Sequence, residues 1–237
     1  MAGPGKCLLV TGPPVSPRYL SVIPVHFLIS QAVVSELAIA AHDIVGASFY
    51  TFILLIQFLL MGKTTLVMRV FESLKTSNPN LKLQGFYTRE VRRGGERIGF
   101  EVVTLDGRTA PLASSTISSP ESLRWPTVGK YKVDIASFES LALPELQVRE
   151  DTDLFIIDEV GKMELYSSSF FPAVLKVLES NIPILASVPI PKFGREIPGV
   201  ARLKNHPGAA LFTLSINNRD AVREQIRSLL EDLLRKH

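Results

Sequence analysis

Two short segments of the chain carry the residue types of a phosphate-binding loop. Such a loop, the Walker A motif, has the pattern G-x-x-x-x-G-K-S/T between a strand and a helix, so that backbone amides point at phosphate oxygens. The first half follows the apolar run 7–11, and the second half opens a run with helical spacing. The matching residues are Gly12, Pro13, Pro14, Gly62, Lys63, Thr64 and Thr65.

In such a loop Lys63 would contact the β- and γ-phosphate oxygens of a nucleotide, and the Thr64 hydroxyl would bind Mg²⁺. Joined directly, the two halves lack two of the usual spacer positions, and the segment 15–61 occupies that gap. The alternative is that Gly-Pro-Pro forms an ordinary turn and GKTT only a polar helix start.

A pair of acidic residues favours the phosphate-binding interpretation. The apolar run 154–157 ends in Asp158 and Glu159, which is the Walker B pattern. We expect Asp158 to hold Mg²⁺, usually through water, and Glu159 to orient or deprotonate an attacking water molecule. Adjacent ionised acids repel each other, so the cation and Lys63 would have to offset that repulsion. The alternative is that the two acids cap the helix start that follows.

The segment 15–61 differs in composition from the rest of the chain. Its only fully charged residues are Arg18, Glu36 and Asp43. Its last part, 44–61, carries no charge and reaches the length of about 18 residues at which a membrane-spanning helix becomes a candidate. Because no basic cluster flanks this part, we favour a buried or aggregation-prone insertion of irregular structure over a membrane span.

Hydrophobic periodicity predicts alternating strands and helices in the rest of the chain. Continuous apolar runs predict buried strands at 7–11, 154–157, 182–188 and 211–216. Helical spacing of apolar residues predicts helices at 63–75, 167–180 and from about 218 onward. Two alternating runs around a glycine pair predict a β-hairpin at 83–105, and a Ser- and Pro-rich stretch predicts an exposed loop at 112–128. This order indicates an α/β fold with a largely parallel sheet flanked by helices.

Length and composition indicate one domain. The 237 residues suffice for a single α/β domain over 1–237, with the insertion 15–61 inside its phosphate-binding loop. The 26 basic and 23 acidic residues nearly balance and form no basic cluster, so we expect no nucleic-acid partner. The single cysteine, Cys7, excludes a disulfide framework. Together with a start unlike a secretory signal, these features predict a cytoplasmic protein.

Five segments resemble the THEP1 family of nucleoside-triphosphatases. In chain order they are VTGPP with GKTTL, GFYTREVRRGGERIGFEVVTLDG, VGKYKVDIASFESLALPEL, IIDEVGKMELYS and the strand with ASVPIP. Together they span almost everything outside the insertion. The resemblance implies a P-loop NTPase fold and Mg²⁺-dependent hydrolysis of the terminal phosphoanhydride of ATP, GTP and other nucleoside triphosphates.

The resemblance also implies roles for individual residues. It makes 62–65 the second half of the phosphate-binding loop, Asp158 the magnesium-site acid and Glu159 the base. Lys162 becomes a candidate for steadying the charge that develops on the γ-phosphate, in place of an arginine finger. The alternative is that Lys162 is an ordinary charged residue on the solvent-exposed side of a helix.

The chain departs from the family at one point. Its members carry an uninterrupted GPPGVGKTT, whereas 15–61 here replaces the Gly-Val between Pro14 and Gly62. We interpret the insertion as translated intron sequence or an error in defining the gene, which peptides from 15–61 in the native protein would contradict. A long excursion removes the convergent amides of the loop, so we predict weak nucleotide binding and slow hydrolysis. The alternatives are a catalytically inactive or membrane-tethered interaction protein and, less favoured, a nucleotide kinase.

Overall fold

The computed structural model describes residues 6–12, 62–191, 195–215 and 217–235. The chain divides into two units, one formed by 1–13 with 63–237 and the other by 14–62. Only Gly62 of the second unit is described, so the insertion and the candidate membrane span at 44–61 lie outside the described residues. Within the described ranges, no helix is long and apolar enough to cross a membrane.

The first unit contains a sheet of nine strands. They are β1 Cys7–Thr11, β2 Leu83–Arg93, β3 Glu96–Thr104, β4 Thr109–Ser114, β5 Thr127–Val128, β6 Tyr131–Val133, β7 Leu154–Asp158, β8 Ile184–Ser187 and β9 Ala209–Thr213. Their order across the sheet is β5-β6-β4-β3-β2-β7-β8-β1-β9. Strands β2, β7, β8, β1 and β9 are parallel to one another, and β3, β4, β6 and β5 extend the sheet antiparallel from β2. The α/β fold is thus confirmed, but the sheet is more mixed than predicted.

Helices cover the parallel strands. They are α1 Lys63–Ser77, α2 Ile135–Glu145, α3 Phe170–Glu179, α4 Pro198–Lys204 and α5 Arg219–Leu234. Helix α1 packs against β7, β8 and α5, whereas α2 packs against β2, β3, β4 and α3. Contacts with β7 and β8 hold α1 beside the strand that ends at Asp158.

Burial on both faces explains the continuous apolar runs of the central strands. Successive strand residues point to opposite faces, and every residue of β1, β7 and β8 is buried. One face packs against α2 and α3, where the rings of Phe86, Phe138 and Phe170 have centroids no more than 6.0 Å apart. The apolar stripe of α1, including Leu66 and Val70, is buried as well.

Most predicted elements are present, with shifted ends. Strands β1 and β7 and helix α1 begin at the predicted residues, and the glycine pair forms the hairpin turn, with φ of 57° at Gly94 and 83° at Gly95. Strand β9 begins and ends earlier than predicted because it pairs with β1 from Cys7 to Thr11. Ile216, the predicted end of that strand, lies outside the described residues.

The prediction of an exposed loop at 112–128 holds for 115–120, which have no helix or strand and are mostly exposed, but not for the rest of the stretch. Strand β4 runs to Ser114, a 3-10 helix spans Glu121–Arg124, and β5 follows. Leu112 and Ala113 are buried because β4 pairs with β3 and packs against α2. Local Ser and Pro content indicated a loop, but pairing with the preceding strand β3 determined the structure of 112–114.

Candidate functional site

The candidate site lies at the carboxyl ends of three neighbouring parallel strands. Strand β7 ends at Asp158, β8 ends at Ser187, and β1 ends at Thr11, next to Gly12. A Cβ added at Gly12 would lie 2.7 Å from Leu214 Cβ, so the position has no room for a side chain. Ligands of open α/β sheets bind at this edge, outside the carboxyl ends of the strands.

Lys63, the first residue of α1, forms an ion pair with Glu159. Lys63 Nζ lies 2.8 Å from Glu159 Oε2, and the two side chains are 13% and 28% exposed. A partly exposed ion pair of this kind contributes little to stability. It does bring one lysine of the Walker A half and one acid of the Walker B motif within direct contact.

Asp158 is fully buried, and its two oxygens differ. The Ser187 hydroxyl donates a hydrogen bond to Oδ1, whereas Oδ2 is buried without a hydrogen-bond partner in the described part of the chain. Burial raises the pKa of Asp158 to about 6, although the nearby Ser187 and Thr64 hydroxyls oppose the shift. A buried oxygen without a donor is costly unless another group, such as a cation, contacts it.

Glu164 is a further buried acid at this site. Only 3% of the Glu164 residue is exposed to solvent. A Cβ added at Gly161 would lie 2.9 Å from Glu164 Oε2 and 2.4 Å from Glu159 Oε1, so the two carboxyl groups approach each other across this glycine. Burial, together with the charge of Glu159, raises the pKa of Glu164 to about 8. Folding therefore favours the protonated form of Glu164.

Substitution of Glu164 by glutamine should change how stability depends on pH. The pKa of Glu164 rises from 4.5 to about 8 on folding, so between these pH values the folded chain holds a proton that the unfolded chain has lost. Stability therefore falls as pH rises through this interval. Glu164→Gln stays neutral and does not lose stability over this interval, so we expect its Tm at pH 8 to exceed that of the wild type, by roughly 2–4 °C for each kcal/mol that the wild type loses.

Thermal unfolding between pH 5 and pH 8 measures this effect. Glu179→Gln makes the same change at an exposed position near the end of α3 and should leave the pH dependence of the wild type unaltered. Parallel curves of Tm against pH for Glu164→Gln and the wild type would show that Glu164 is ionised in the folded protein.

The structure does not bring every predicted site residue to this edge. Pro13 and Pro14 lie outside the described residues, and Gly62 directly precedes α1. Thr65 is exposed on α1. Lys162 is also exposed, and it forms no ion pair with any residue of the described ranges.

Sequence patterns missed two residues of the site, Glu164 and Ser187. The spacing of Glu164 from the acid pair is visible in the sequence, but its burial depends on the turn that passes through Gly161. Ser187 is the polar end of an otherwise apolar strand. A polar residue at a strand end gains meaning only once β8 is known to lie beside β7.

Comparisons with known proteins show which family this chain resembles. A family model described as NTPase matches residues 60–227. The human protein named cancer-related nucleoside-triphosphatase is 41% identical over 166 residues, which cover 68% of this chain and 86% of that protein. The family match begins just before Gly62, so β1 and Gly12 lie outside it although β1 occupies the parallel part of the sheet.

Two solved structures share the fold. The crystal structure of THEP1 from Aquifex aeolicus has a TM-score of 0.64 at 28% identity and covers 95% of this chain and 99% of its own. The solution structure of a human cancer-related nucleoside triphosphatase has a TM-score of 0.61 at 39% identity, covering 73% of this chain and 93% of its own. Both likenesses extend over nearly the whole length of the solved proteins.

Proposed function

The chain belongs to the NTPase family that includes the THEP1 nucleoside-triphosphatases, and from that premise we propose that it hydrolyses nucleoside 5'-triphosphates, ATP and GTP among them, to diphosphate and phosphate with Mg²⁺. The observation that carries the proposal is the contact of Lys63 with Glu159 beside the buried Asp158. The proposal assigns Lys63 to offset phosphate charge and Glu159 to accept a proton, and their contact supports both roles.

The donor set fits a hard cation. Asp158 Oδ2 is an oxygen without a partner, and the Thr64 hydroxyl is close enough to Asp158 to affect its pKa. No cluster of three His, Cys, Asp or Glu residues suited to a metal occurs in the described ranges. Thr64 and Asp158 would therefore hold Mg²⁺ only together with oxygens of the substrate and water. When bound, the ion would offset phosphate charge and help to orient the terminal phosphate.

Hydrolysis would use the remaining side chains as follows. The oxygen of a water molecule bonds to the γ-phosphorus while the bond from that phosphorus to the β-γ bridging oxygen breaks. Glu159 accepts the proton of the water, and the bridging oxygen leaves on the diphosphate. Lys63 offsets the charge on the transferred group, and Lys162 is proposed to add positive charge from the exposed segment after β7.

The insertion would lower both affinity and rate. In an intact loop, Gly12, Pro13, Pro14 and Gly62 would enclose the phosphates, and consecutive amides would point at their oxygens. Here β1 ends at Thr11 and α1 begins at Lys63, with the insertion between them in the sequence. Closing a long loop costs little more than closing a short one, so the loss of amide geometry weakens binding more than the entropy of loop closure does.

Phosphate release from ATP and GTP, without any phosphate acceptor, tests this function in the full chain. We expect slow release with Mg²⁺ and none in EDTA. Lys63→Ala should lower the rate about tenfold or more because charge stabilisation of the transferred group is lost. Lys75→Ala, at an exposed position near the other end of α1, should leave it unchanged.

The same assay separates the alternatives. Phosphate transfer that needs an added nucleoside or nucleotide would identify a kinase. Nucleotide binding without any release would favour a catalytically inactive binding protein. Equal rates in Lys63→Ala and the wild type would refute the proposed site.

A further inference from the structure

Ser187 lies between the two strands whose ends carry the motifs. Strand β8 separates β7 from β1, and its register pairs Ala186 with Ile157 and Ser187 with Val10. The Ser187 residue is fully buried. Neither the sequence pattern nor the hydrolysis chemistry assigns it a role.

Ser187 binds the residues on both sides of Glu159. Its hydroxyl donates to Asp158 Oδ1, and its backbone carbonyl accepts a hydrogen bond of 2.9 Å from the Val160 amide. Because Asp158 and Val160 flank Glu159, these two bonds fix the short segment that carries both acids. One residue of β8 thereby sets the position of the end of β7.

The Ser187 hydroxyl also determines which oxygen of Asp158 is free. The terminal torsion of an aspartate is broad, so an unrestrained carboxylate could rotate and exchange its oxygens. With Oδ1 engaged by Ser187, Oδ2 is the oxygen left without a partner in the described part of the site.

We propose that Ser187 is a positioning residue that fixes the free oxygen of Asp158 for a divalent cation bound together with the nucleoside triphosphate. This role rests on the proposed function, because it concerns the cation of that same site. Ser187 acts through Asp158 and does not touch the substrate. A serine that only fills space would affect stability without a selective effect on the cation.

Binding of a non-hydrolysable ATP analogue to the full chain, measured by calorimetry with Mg²⁺ and again in EDTA, separates these roles. Ser187→Ala should weaken binding in Mg²⁺ by about 10–100-fold, the usual effect of removing a group that orients a metal ligand. Its affinity in EDTA should stay within about twofold of the wild type, since no phosphate contact is lost. Ser187→Thr keeps the hydroxyl and should bind the analogue in Mg²⁺ about as tightly as the wild type does.

The matched control is Ser122→Ala. Ser122 is equally buried, and its hydroxyl donates to the Ser119 carbonyl at 2.7 Å. Removing this hydroxyl should leave binding unchanged in both conditions. Thermal unfolding of each variant identifies loss of folding, and if Ser187→Ala does not fold, Ser187→Cys, a weak donor of similar size, replaces it.

Asp158→Asn removes the group through which Ser187 would act. In that background Ser187→Ala should cause no further loss of Mg²⁺-dependent affinity. The positioning role would be overturned if the losses of affinity from Ser187→Ala and Asp158→Asn were additive. It would also be overturned if Ser187→Ala lost equal affinity in Mg²⁺ and in EDTA.

The wild type distinguishes failure of this role from failure of the proposed function. Equal binding in Mg²⁺ and EDTA, or none in either, would refute the cation site and the role of Ser187 together. Mg²⁺-dependent binding without phosphate release would refute hydrolysis alone, and the Ser187 comparison would still decide its role.

Discussion

Excision of residues 15–61, with Gly-Val restored between Pro14 and Gly62, should raise the rate of phosphate release by about 100-fold or more, the usual effect of one well-placed donor to a developing charge. The elements on either side of the loop belong to the same unit, because β1 pairs with β8 and β9 and α1 packs against β7 and β8. The restored loop would therefore connect elements that the sheet already positions.

The restored glycine matters for a second reason. A phosphate-binding loop needs backbone conformations that glycine adopts most readily, and the insertion replaces that glycine. Phosphate release at saturating ATP measures the gain, and affinity for ATP should rise with it. The excised chain carrying Lys63→Ala is the control, because it has the short loop without the cation.

Equal phosphate release from the excised and full chains would contradict the predicted effect of the insertion. It would mean either that the loop geometry is recovered despite the insertion or that hydrolysis does not use the loop. The Lys63→Ala control separates these two cases, since only the first leaves activity dependent on Lys63.

The parallel part of the fold is predictable from the sequence because its strands are buried on both faces. Every residue of β1 and of β7 is buried, so their apolar runs are unbroken and easily recognised. The antiparallel part is different. Strand β4 contains Pro111 and Ser114 and has only two fully buried residues, and its pairing with β3 across a turn makes it a strand.

Helix α2, which the sequence patterns did not predict, also depends on contacts that are distant in the sequence. Its start has a cap, since Asp134 Oδ1 accepts a hydrogen bond of 3.0 Å from the Ser137 amide. Its last turn contains Pro144, which disrupts the usual pattern of a helix end. Contacts with β2, β3 and β4 stabilise the helix, and these depend on the sheet order.

Some residues of the site are likewise visible in the sequence, whereas others are recognised only in the folded chain. The acid pair at 158–159 is visible because charged residues directly follow a buried strand, and Lys63 is visible because it opens a helix. The contact between Lys63 and Glu159 requires the packing of α1 on β7. Glu164 and Ser187 are recognisable only by burial, which no local pattern of polar residues reveals.

Charge balance at the site connects these residues. Burial raises the pKa of Glu164 and so favours its neutral form, whereas Glu159 is paired with Lys63 beside the buried Asp158. A divalent cation would offset the remaining negative charge and the triphosphate would bring its own, so cation and substrate are expected to bind together.

Glu159→Gln should lower kcat by about 10²–10⁴-fold, the usual effect of removing a general base. Glutamine keeps the size of the side chain beside Gly161 but cannot accept the proton of the attacking water. Since Lys63 would then lose its ionic partner, nucleotide affinity should be unchanged or slightly higher. Phosphate release and ATP binding, both measured in the excised chain with its higher rate, separate the two effects.

Glu145→Gln is the control for loss of an ion pair alone. Glu145 is buried, and its Oε1 lies 2.6 Å from a guanidinium nitrogen of Arg108, just as Glu159 Oε2 lies 2.8 Å from Lys63 Nζ. Glu145 is the last residue of α2, away from Asp158 and Glu159. If breaking an ion pair were sufficient to slow hydrolysis, both variants would lose kcat. We expect only Glu159→Gln to do so, and an unchanged kcat in that variant would mean that the attacking water loses its proton to another group.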